Sequence, residues 1–519
     1  MKVKDYLLAS ISGLLLVLSF PQWNLFALAW VSLVPLLYAV RGKDASQGCV
    51  LGAVTGLVFN LGLVYWVTVS MTTYGKMNAA LSILVLILFA AYLSLFIGAP
   101  VWCSCYVERK QGIAVMATLP FLWTASEYIK SWFLTGFPWE NLGYSQFLAL
   151  PVIQIADITG VYGISFLLVL VNGVIFVLLE TFALKKPVPY KLIAITVLLL
   201  AASLLYGRAR LERYDRQEGE KLTVALVQGN IAQDVKWNPA FLDETMTSYS
   251  RLTLAAAAEK PALIIWPEAA TPFFFQSEKL YQEMVAAVAR RAGAYLLLGS
   301  PAWENDGNET RYFNSAFLVS PEGTINGRYD KIHLVPYGEY VPLKQLFPFI
   351  DKMVVGIGDF ASGREVKNLS FPGGTFGTLI CYEIIFPDLV RRFVKEGAAF
   401  LVNITNDAWF GRTSAPYQHL SMVVLRAVEN RRFVARAANT GISAIIDASG
   451  RIVQQSKLFT PASLAGIILL EKELTFYSRF GDIFAALCLL LSFFVLGMTF
   501  IRAKGRQKHF QTFLHYTGE

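Results

Sequence analysis

Three residue types able to act together as a nucleophile, a base and a cation stand far apart in this chain, each at the end of an apolar run. Cys381 follows TFGTLI in the string Ile-Cys-Tyr-Glu and is the only cysteine of a long polar segment, Glu268 follows Trp266-Pro267 after LII, and Lys331 lies in YDKIHLVPYGEYVP. A thiol of ordinary pKa, about 8.5, is only a few per cent thiolate near neutrality, so its use as a nucleophile needs a base or a neighbouring cation. A carboxylate can supply the base, and an ammonium favours both the thiolate and a tetrahedral oxyanion. A sulfur nucleophile served by a separate base and a separate cation is the chemistry this set would support.

Taken singly, each residue has a plainer use. Cys381 could be buried packing, Glu268 a helix cap or an arginine partner, and Lys331 a solvated surface lysine. Glu339, in the Gly-Glu-Tyr turn, could hold backbone amides, a role compatible with a catalytic one. Their joint occurrence shifts the balance toward a site. His333, two residues from Lys331, would share its face if that stretch is extended, which makes it an alternative base. His419 falls within an amphipathic helical stretch and is expected to pack.

The elements that must position these residues are short β-rich runs alternating with helical ones. From about Leu222 the strand-like runs are LTVALVQG, ALIIWPE, YLLLGSP, NSAFLVS, TFGTLICYE, AAFLVNITND, GISAIIDASG and SLAGIILL. Helical spacing marks Asp243–Ala258, Ser277–Ala292, Pro387–Glu396 and Ala415–Arg432, with start signals in Asp243 and in Pro387 at a first-turn position. The mixture predicts a layered α/β domain whose strand ends carry the polar residues, where a rigid sheet can aim side chains. No glycine-rich phosphate loop, zinc-ligand cluster or EF-hand pattern occurs, so neither a metal nor a cofactor is expected.

The rest of the chain belongs in lipid. Over 519 residues, 55% are hydrophobic and only 16% charged, and the mean hydropathy is +0.48, above what an ordinary soluble protein carries. Apolar runs at about 6–20, 24–40, 48–70, 79–106, 112–134, 158–184, 190–207 and 481–501 give eight candidate spans, most of them near the roughly 20 residues that cross a bilayer core. If the first two runs both cross, Arg41 and Lys43, Arg109 and Lys110, Lys185 and Lys186, and the tail from Arg502 to Lys508 share the side of the N-terminus. That is the positive-inside pattern, and it turns the polar domain outward. Arg208, Arg210 and Arg213 run against it, although long translocated domains largely escape the rule.

The expected organisation is seven spans in 1–207, an outer catalytic domain in 220–472, an eighth span in 481–501 and a cytoplasmic tail in 502–519. The first run lacks a small-residue cleavage site and reads as a retained span. The formal net charge of +8 resides mostly in short loops that set topology, so nucleic acid is not an expected partner. Cys49, Cys103, Cys105 and Cys488 lie in or beside spans as small packing residues, which leaves Cys381 without a disulfide partner in its domain. The stretch from Phe347 to Phe360 is apolar enough to dip into the outer interface, and the loop from Thr135 to Gln146, with Phe137, Trp139 and Tyr144, has an interfacial aromatic composition. Together these two segments would form a lipid-facing gate.

WPE, YDKIHLVPYGEYVP and CYE together resemble the carbon–nitrogen hydrolase (nitrilase) superfamily. More narrowly, the apolar spans, the QGNIAQDVKW string around Trp237 and TGFPWENLGYSQ around Pro138 resemble its membrane-bound branch of bacterial lipoprotein acyltransferases. The resemblance implies an α-β-β-α sandwich and a catalytic set of Glu268 as general base and acid, Lys331 for the oxyanion and Cys381 as nucleophile. It implies supporting roles for Trp237, Glu339, Tyr382 and Glu383, and it ranks His333 below Glu268. It further implies a phospholipid donor, a diacylglyceryl-cysteine lipoprotein acceptor, a thioester intermediate and the bacterial inner membrane. Two rivals remain on the residues alone: a membrane-tethered amidase or nitrilase-type hydrolase, and a sensor or transporter whose outer domain binds a small molecule.

Overall fold

A computed structural model describes every residue except 186, 217, 308, 342–358 and 517–519. The chain divides into two compact units, one of Met1–Tyr65, Leu84–Arg208 and Asp482–Glu519 and one of Trp66–Ile83 and Ala209–Gly481.

The first unit is helical. Among the described residues five helices are long and apolar enough to cross a membrane: Ala45–Val64, Ala79–Gln111, Val161–Leu184, Tyr190–Asp215 and Ile483–Lys504. The other three expected spans form shorter elements. Val3–Ser19 has 17 residues, Val115–Lys130 has 16, and 24–40 breaks into a 3-10 turn Phe26–Trp30 and a helix Val34–Val40. Asn172 spans that break, its side chain donating to the Ala29 carbonyl at 2.8 Å and accepting from the Leu33 N–H at 2.8 Å. Such a bridge satisfies backbone groups that a broken helix frees.

Small residues set the packing here. Gly52 and Gly56 lie on one face of Ala45–Val64, and a Cβ would meet Gly98 Cα at 3.0 Å from the first and Ser94 Cα at 2.8 Å from the second. Backbones this close gain dispersion contact that larger side chains would prevent. The loop from Thr135 to Gln146 corrects its sequence reading as a lipid-facing segment: Trp139 and Tyr144 are buried, and Phe137 stacks on Trp139 with centroids 5.9 Å apart. Aromatic rings are amphipathic, so the same composition serves a membrane interface or a core. Most of the other expected gate segment, Phe347–Phe360, lies outside the described residues.

The second unit is the α/β domain. Its strands are β1 (Lys221–Gln228), β2 (Leu263–Ile265), β3 (Tyr295–Asp306), β4 (Glu309–Val319), β5 (Ile325–Asp330), β6 (Leu369–Phe371), β7 (Gly374–Ile380), β8 (Phe400–Thr405), β9 (Val434–Ala438), β10 (Ala444–Ile446), β11 (Ile452–Gln455) and β12 (Ala462–Leu469). They form two six-stranded sheets, ordered β12-β1-β2-β3-β4-β5 and β11-β10-β9-β8-β7-β6. Each sheet has a parallel heart, β1-β2-β3 in one and β7-β8-β9 in the other.

Parallel neighbours need crossovers, and helices supply them. Leu242–Ala256 and Lys279–Ala292 connect the first set, Pro387–Lys395 and Ala415–Asn430 the second. The four helices expected from apolar spacing are these, within two residues at each end. The sheets meet face to face, β1 against β9 and β4 against β7, while Leu242–Ala256 packs on β1 and β12, Lys279–Ala292 packs beside it, and Pro387–Lys395 packs on β7. In the first core Trp266 is fully buried, stacks on Tyr249 at 4.8 Å and donates its indole N–H to Thr253 at 2.8 Å. A large ring with its single polar atom satisfied anchors the strand end that carries Glu268.

Candidate active site

The site gathers at the carboxyl ends of strands from both sheets. Glu268 follows β2, Lys331 follows β5, Cys381 follows β7 and Asn406 follows β8. Gly299 on β3 lets the Glu268 backbone come close, since a Cβ there would lie 2.7 Å from Glu268 Cα.

Both carboxylate oxygens of Glu268 are fixed. Oε1 accepts from Asn314 Nδ2 at 2.8 Å, and Oε2 accepts from the Asn406 main-chain N–H at 2.9 Å. Lys331 Nζ lies 3.6 Å from Oε1. The lysine is not solvated: it is 1% exposed, and its ammonium donates to Glu339, with Nζ 3.0 Å from each carboxylate oxygen. Glu339 accepts in addition from Asn314 Nδ2 and from the Val335 N–H, both at 2.8 Å. Burial works against the Lys331 ammonium, but the charges of Glu339 and Glu268 outweigh it and hold its pKa above the ordinary lysine range. The cation is therefore permanent at physiological pH.

Cys381 opens a short 3-10 turn, Cys381–Ile385, directly after β7. Its φ of +53° is left-handed, a conformation that costs an L-residue roughly 1–2 kcal/mol and that marks positions where the chain turns sharply to present a side chain. Burial first, then the Glu268 charge, push the thiol pKa well up, while Lys331 pulls it down. The resting group is a thiol within electrostatic reach of both partners.

Glu383 serves the turn. Its Oε2 accepts from the Ile380 N–H at 2.7 Å, and its Oε1 accepts from Tyr329 Oη at 2.8 Å and from the N–H groups of Ile332 and His333 at 2.7 and 3.1 Å. One carboxylate thus ties the cysteine turn to the lysine loop. Tyr382 packs edge-on against Phe386 at 5.1 Å, and Trp237, at the end of a short helix Gln233–Lys236, is 42% exposed.

His333 lies beyond β5 in a loop, not in an extended strand. Its ring sits 3.7 Å from that of Phe386, and burial followed by the Lys331 charge lowers its pKa to about 4. His419 is buried, as expected of a packing residue, but it packs in a polar network. Its Nδ1 lies 3.1 Å from Asp407 Oδ1, and Arg436 Nη2 donates to Asp407 Oδ2 at 2.8 Å. Sequence reading missed this network, and with it Asn314, Asn406 and Lys236. Asn314 opens the NSAFLVS run, and an asparagine inside a buried strand is the one signal that could have been followed.

The two-sheet fold is that of the carbon–nitrogen hydrolase class, whose family matches residues 223–468. The apolipoprotein N-acyltransferase N-terminal domain matches residues 12–174. The chain belongs to the apolipoprotein N-acyltransferase family, acyltransferases in which these two parts occur together. It is 47% identical over 504 residues to the apolipoprotein N-acyltransferase of Geobacter metallireducens, covering 96% of each chain. It is 33% identical to that of Pasteurella multocida, covering 93% of this chain and 92% of the relative. A solved amidase from Nesterenkonia sp. aligns with 49% of this chain and 93% of its own, at 20% identity and a TM-score of 0.38.

Proposed function

We propose that the protein moves an acyl chain from a phospholipid to the α-amine of an N-terminal diacylglyceryl-cysteine on a lipoprotein, through a thioester on Cys381. The observation that carries this reading is a buried thiol within electrostatic reach of Glu268 and Lys331, which lie 3.6 Å from each other, in a chain whose relatives over nearly its full length bear the name apolipoprotein N-acyltransferase.

In the first half-reaction Cys381 Sγ attacks the ester carbonyl while Glu268 takes the thiol proton. A resting thiol makes that transfer part of the attack. The oxyanion forms beside the Lys331 ammonium, which Glu339 keeps charged and in place. Collapse breaks the C–O bond, and Glu268 returns the proton to the departing alkoxide as lysophospholipid leaves. In the second half-reaction the α-amine attacks the thioester, the C–N bond forms and the C–S bond breaks. Glu268 carries the amine proton to the sulfur, which restores the thiol.

Among the supporting residues, Glu383 holds the turn of Cys381 and the loop of Lys331 together. Tyr382 lines the turn, and Trp237 offers a half-exposed aromatic face to an incoming chain. The proposed topology keeps eight crossings, with the catalytic domain on the periplasmic side of the bacterial inner membrane and the tail in the cytoplasm. The basic loops named above support it.

The test is intact-protein mass spectrometry after incubation with phospholipid alone. A gain of one fatty acyl mass that is absent in Cys381→Ser supports the covalent route, and an unmodified wild-type protein under active conditions overturns it. Adding a peptide with a lipidated N-terminal cysteine separates the rivals. Acyl-peptide amide supports transfer, free fatty acid favours a hydrolase, and binding without chemistry favours a sensor.

A further inference from the structure

Lys236 is the charged group at this site that the mechanism above leaves unused. It ends the helix Gln233–Lys236, is 2% exposed, and donates from Nζ to the Glu268 main-chain carbonyl at 3.1 Å. An ammonium has three donors. Among the described residues that carbonyl is the one hydrogen-bond partner of Nζ, and no carboxylate lies within ion-pair distance of it. The two lysines therefore differ in kind: Lys331 sits between two carboxylates, whereas Lys236 is a buried cation that makes no ion pair among the described residues.

The segment that carries it is fastened to the site from several sides. The Ile231 N–H donates to Asn439 Oδ1 at 2.9 Å, Asn439 Nδ2 to Asn406 Oδ1 at 3.0 Å, and Asn406 Nδ2 to Gln233 Oε1 at 2.7 Å. Asn406 is also the residue whose N–H holds Glu268. Lys236 is thus locked to the frame that orients Glu268 and cannot swing out to water without disturbing it.

Charge balance gives the ammonium a purpose. The carboxylates of Glu268 and Glu339 face the ammonium of Lys331, so without a second cation the site is already negative before sulfur ionises. A thiolate or oxyanion would then form against that field. The Lys236 charge lies within reach of both Glu268 and Cys381, and the interaction is mutual: anions that favour the ammonium are favoured by it. Building on the function proposed above, we infer that Lys236 is a positioning and electrostatic residue of the acyl-transfer site. It fixes Glu268 through the main chain and neutralises the surplus carboxylate charge so that Cys381 can ionise during attack. Burial, opposed by Glu268 and Cys381, lowers the Lys236 pKa to about 8, close enough to neutrality for the charge to be titrated. The titratable groups that face the pair are Glu268 for Lys236, and Glu268, Lys331, Asp407 and, through the Cys381 main chain, His419 for Cys381.

The experiment is the pH dependence of iodoacetamide alkylation at Cys381, read on the Cys381 peptide, in the full-length wild type, Lys236→Met and Lys236→Arg. Lys236→Met should slow labelling about tenfold at pH 7, where the wild-type ammonium is charged, a change in thiolate worth one pKa unit, and the gap should close above about pH 8 as that ammonium loses its proton. Lys236→Arg keeps a charge at every pH in the range, so it should label as fast as the wild type at pH 7 and faster above about pH 8, where the wild-type ammonium is lost. A folded Lys236→Met with the wild-type pH profile overturns the inference. Should Lys236→Met lose its thermal transition, labelling of Lys236→Arg that is no faster than the wild type above about pH 8 overturns it instead. The readout needs no phospholipid, so a wild type that alkylates as described but forms no acyl-enzyme sinks the proposed function and leaves the Lys236 result standing.

Discussion

The main-chain N–H of Asn406 donates to Oε2 of Glu268 at 2.9 Å, joining the end of β8 in one sheet to the residue that follows β2 in the other. A main-chain donor cannot rotate away, and the second oxygen accepts from Asn314 at 2.8 Å. The carboxylate is therefore held in one orientation by donors from both sheets, and it keeps lone pairs free for a proton arriving from sulfur.

Glu268→Gln tests that arrangement. Both oxygens face donors, so an amide must set its own NH₂ against a donor whichever way it lies. Acyl-enzyme formation should fall below detection by mass spectrometry. Stability should drop by about 1–3 kcal/mol in thermal or denaturant unfolding, the cost of an unsatisfied buried group. A variant that still acylates would remove Glu268 from the proton transfer.

Lys331→Met removes the cation that, among the described residues, pairs with both Glu268 and Glu339. The acylation rate should fall by about 10²–10³, the range seen when a single oxyanion partner is lost. The variant should also lose stability, by roughly 3–5 kcal/mol, because Glu268 and Glu339 would be left without their counter-charge. Adding Glu339→Gln should recover much of the stability and none of the rate. Unfolding midpoints together with single-turnover acylation in the single and double variants check both halves.

The three residues that opened the sequence reading were legible because each ends an apolar run, and strand ends are where an α/β sheet exposes its side chains. The groups that hold them were not. Asn314 and Asn406 lie 92 positions apart, a separation that only strand order converts into a shared contact with Glu268. Strand β9, VARAA, escaped notice for a related reason. Its central Arg436 reads as surface, yet it is fully buried because Asp407 and Asn403 accept from it. Burial of such an arginine depends on partners that lie 29 and 33 residues away, and local periodicity carries no trace of them. The aromatic loop around Trp139 failed in the opposite direction: composition suggested an interface, and packing placed the rings inside.

Arg436→Leu follows from that network. The Asp407 carboxylate is fully buried, and burial alone would raise its pKa, but Arg436 and then His419 hold it at about 2. Leucine would leave the carboxylate without its principal partner, at a cost of about 3–5 kcal/mol. The loss should be greatest near neutral pH and shrink as acid protonates Asp407. Asp407→Asn in the same background should restore part of the stability, read as recovery of the unfolding midpoint.

Glu383 supplies a pH dependence of the opposite sign. Burial raises its pKa from 4.5 to about 7 despite the donors from Ile380, Tyr329 and His333. Between those two values the folded protein keeps a proton that the unfolded chain has released, so the folded state binds more protons and its stability falls as pH rises. Above about pH 7 both states are ionised and this contribution stops changing. Glu383→Gln abolishes the titration, and its unfolding free energy should lose that downward slope between about pH 5 and 7. The amide also turns an NH₂ toward the backbone donors of the lysine loop or of the cysteine turn, so the variant should be less stable than the wild type throughout and should acylate more slowly. Denaturant unfolding at half-unit pH steps measures the difference, and parallel slopes in the two proteins would assign the titration to another group.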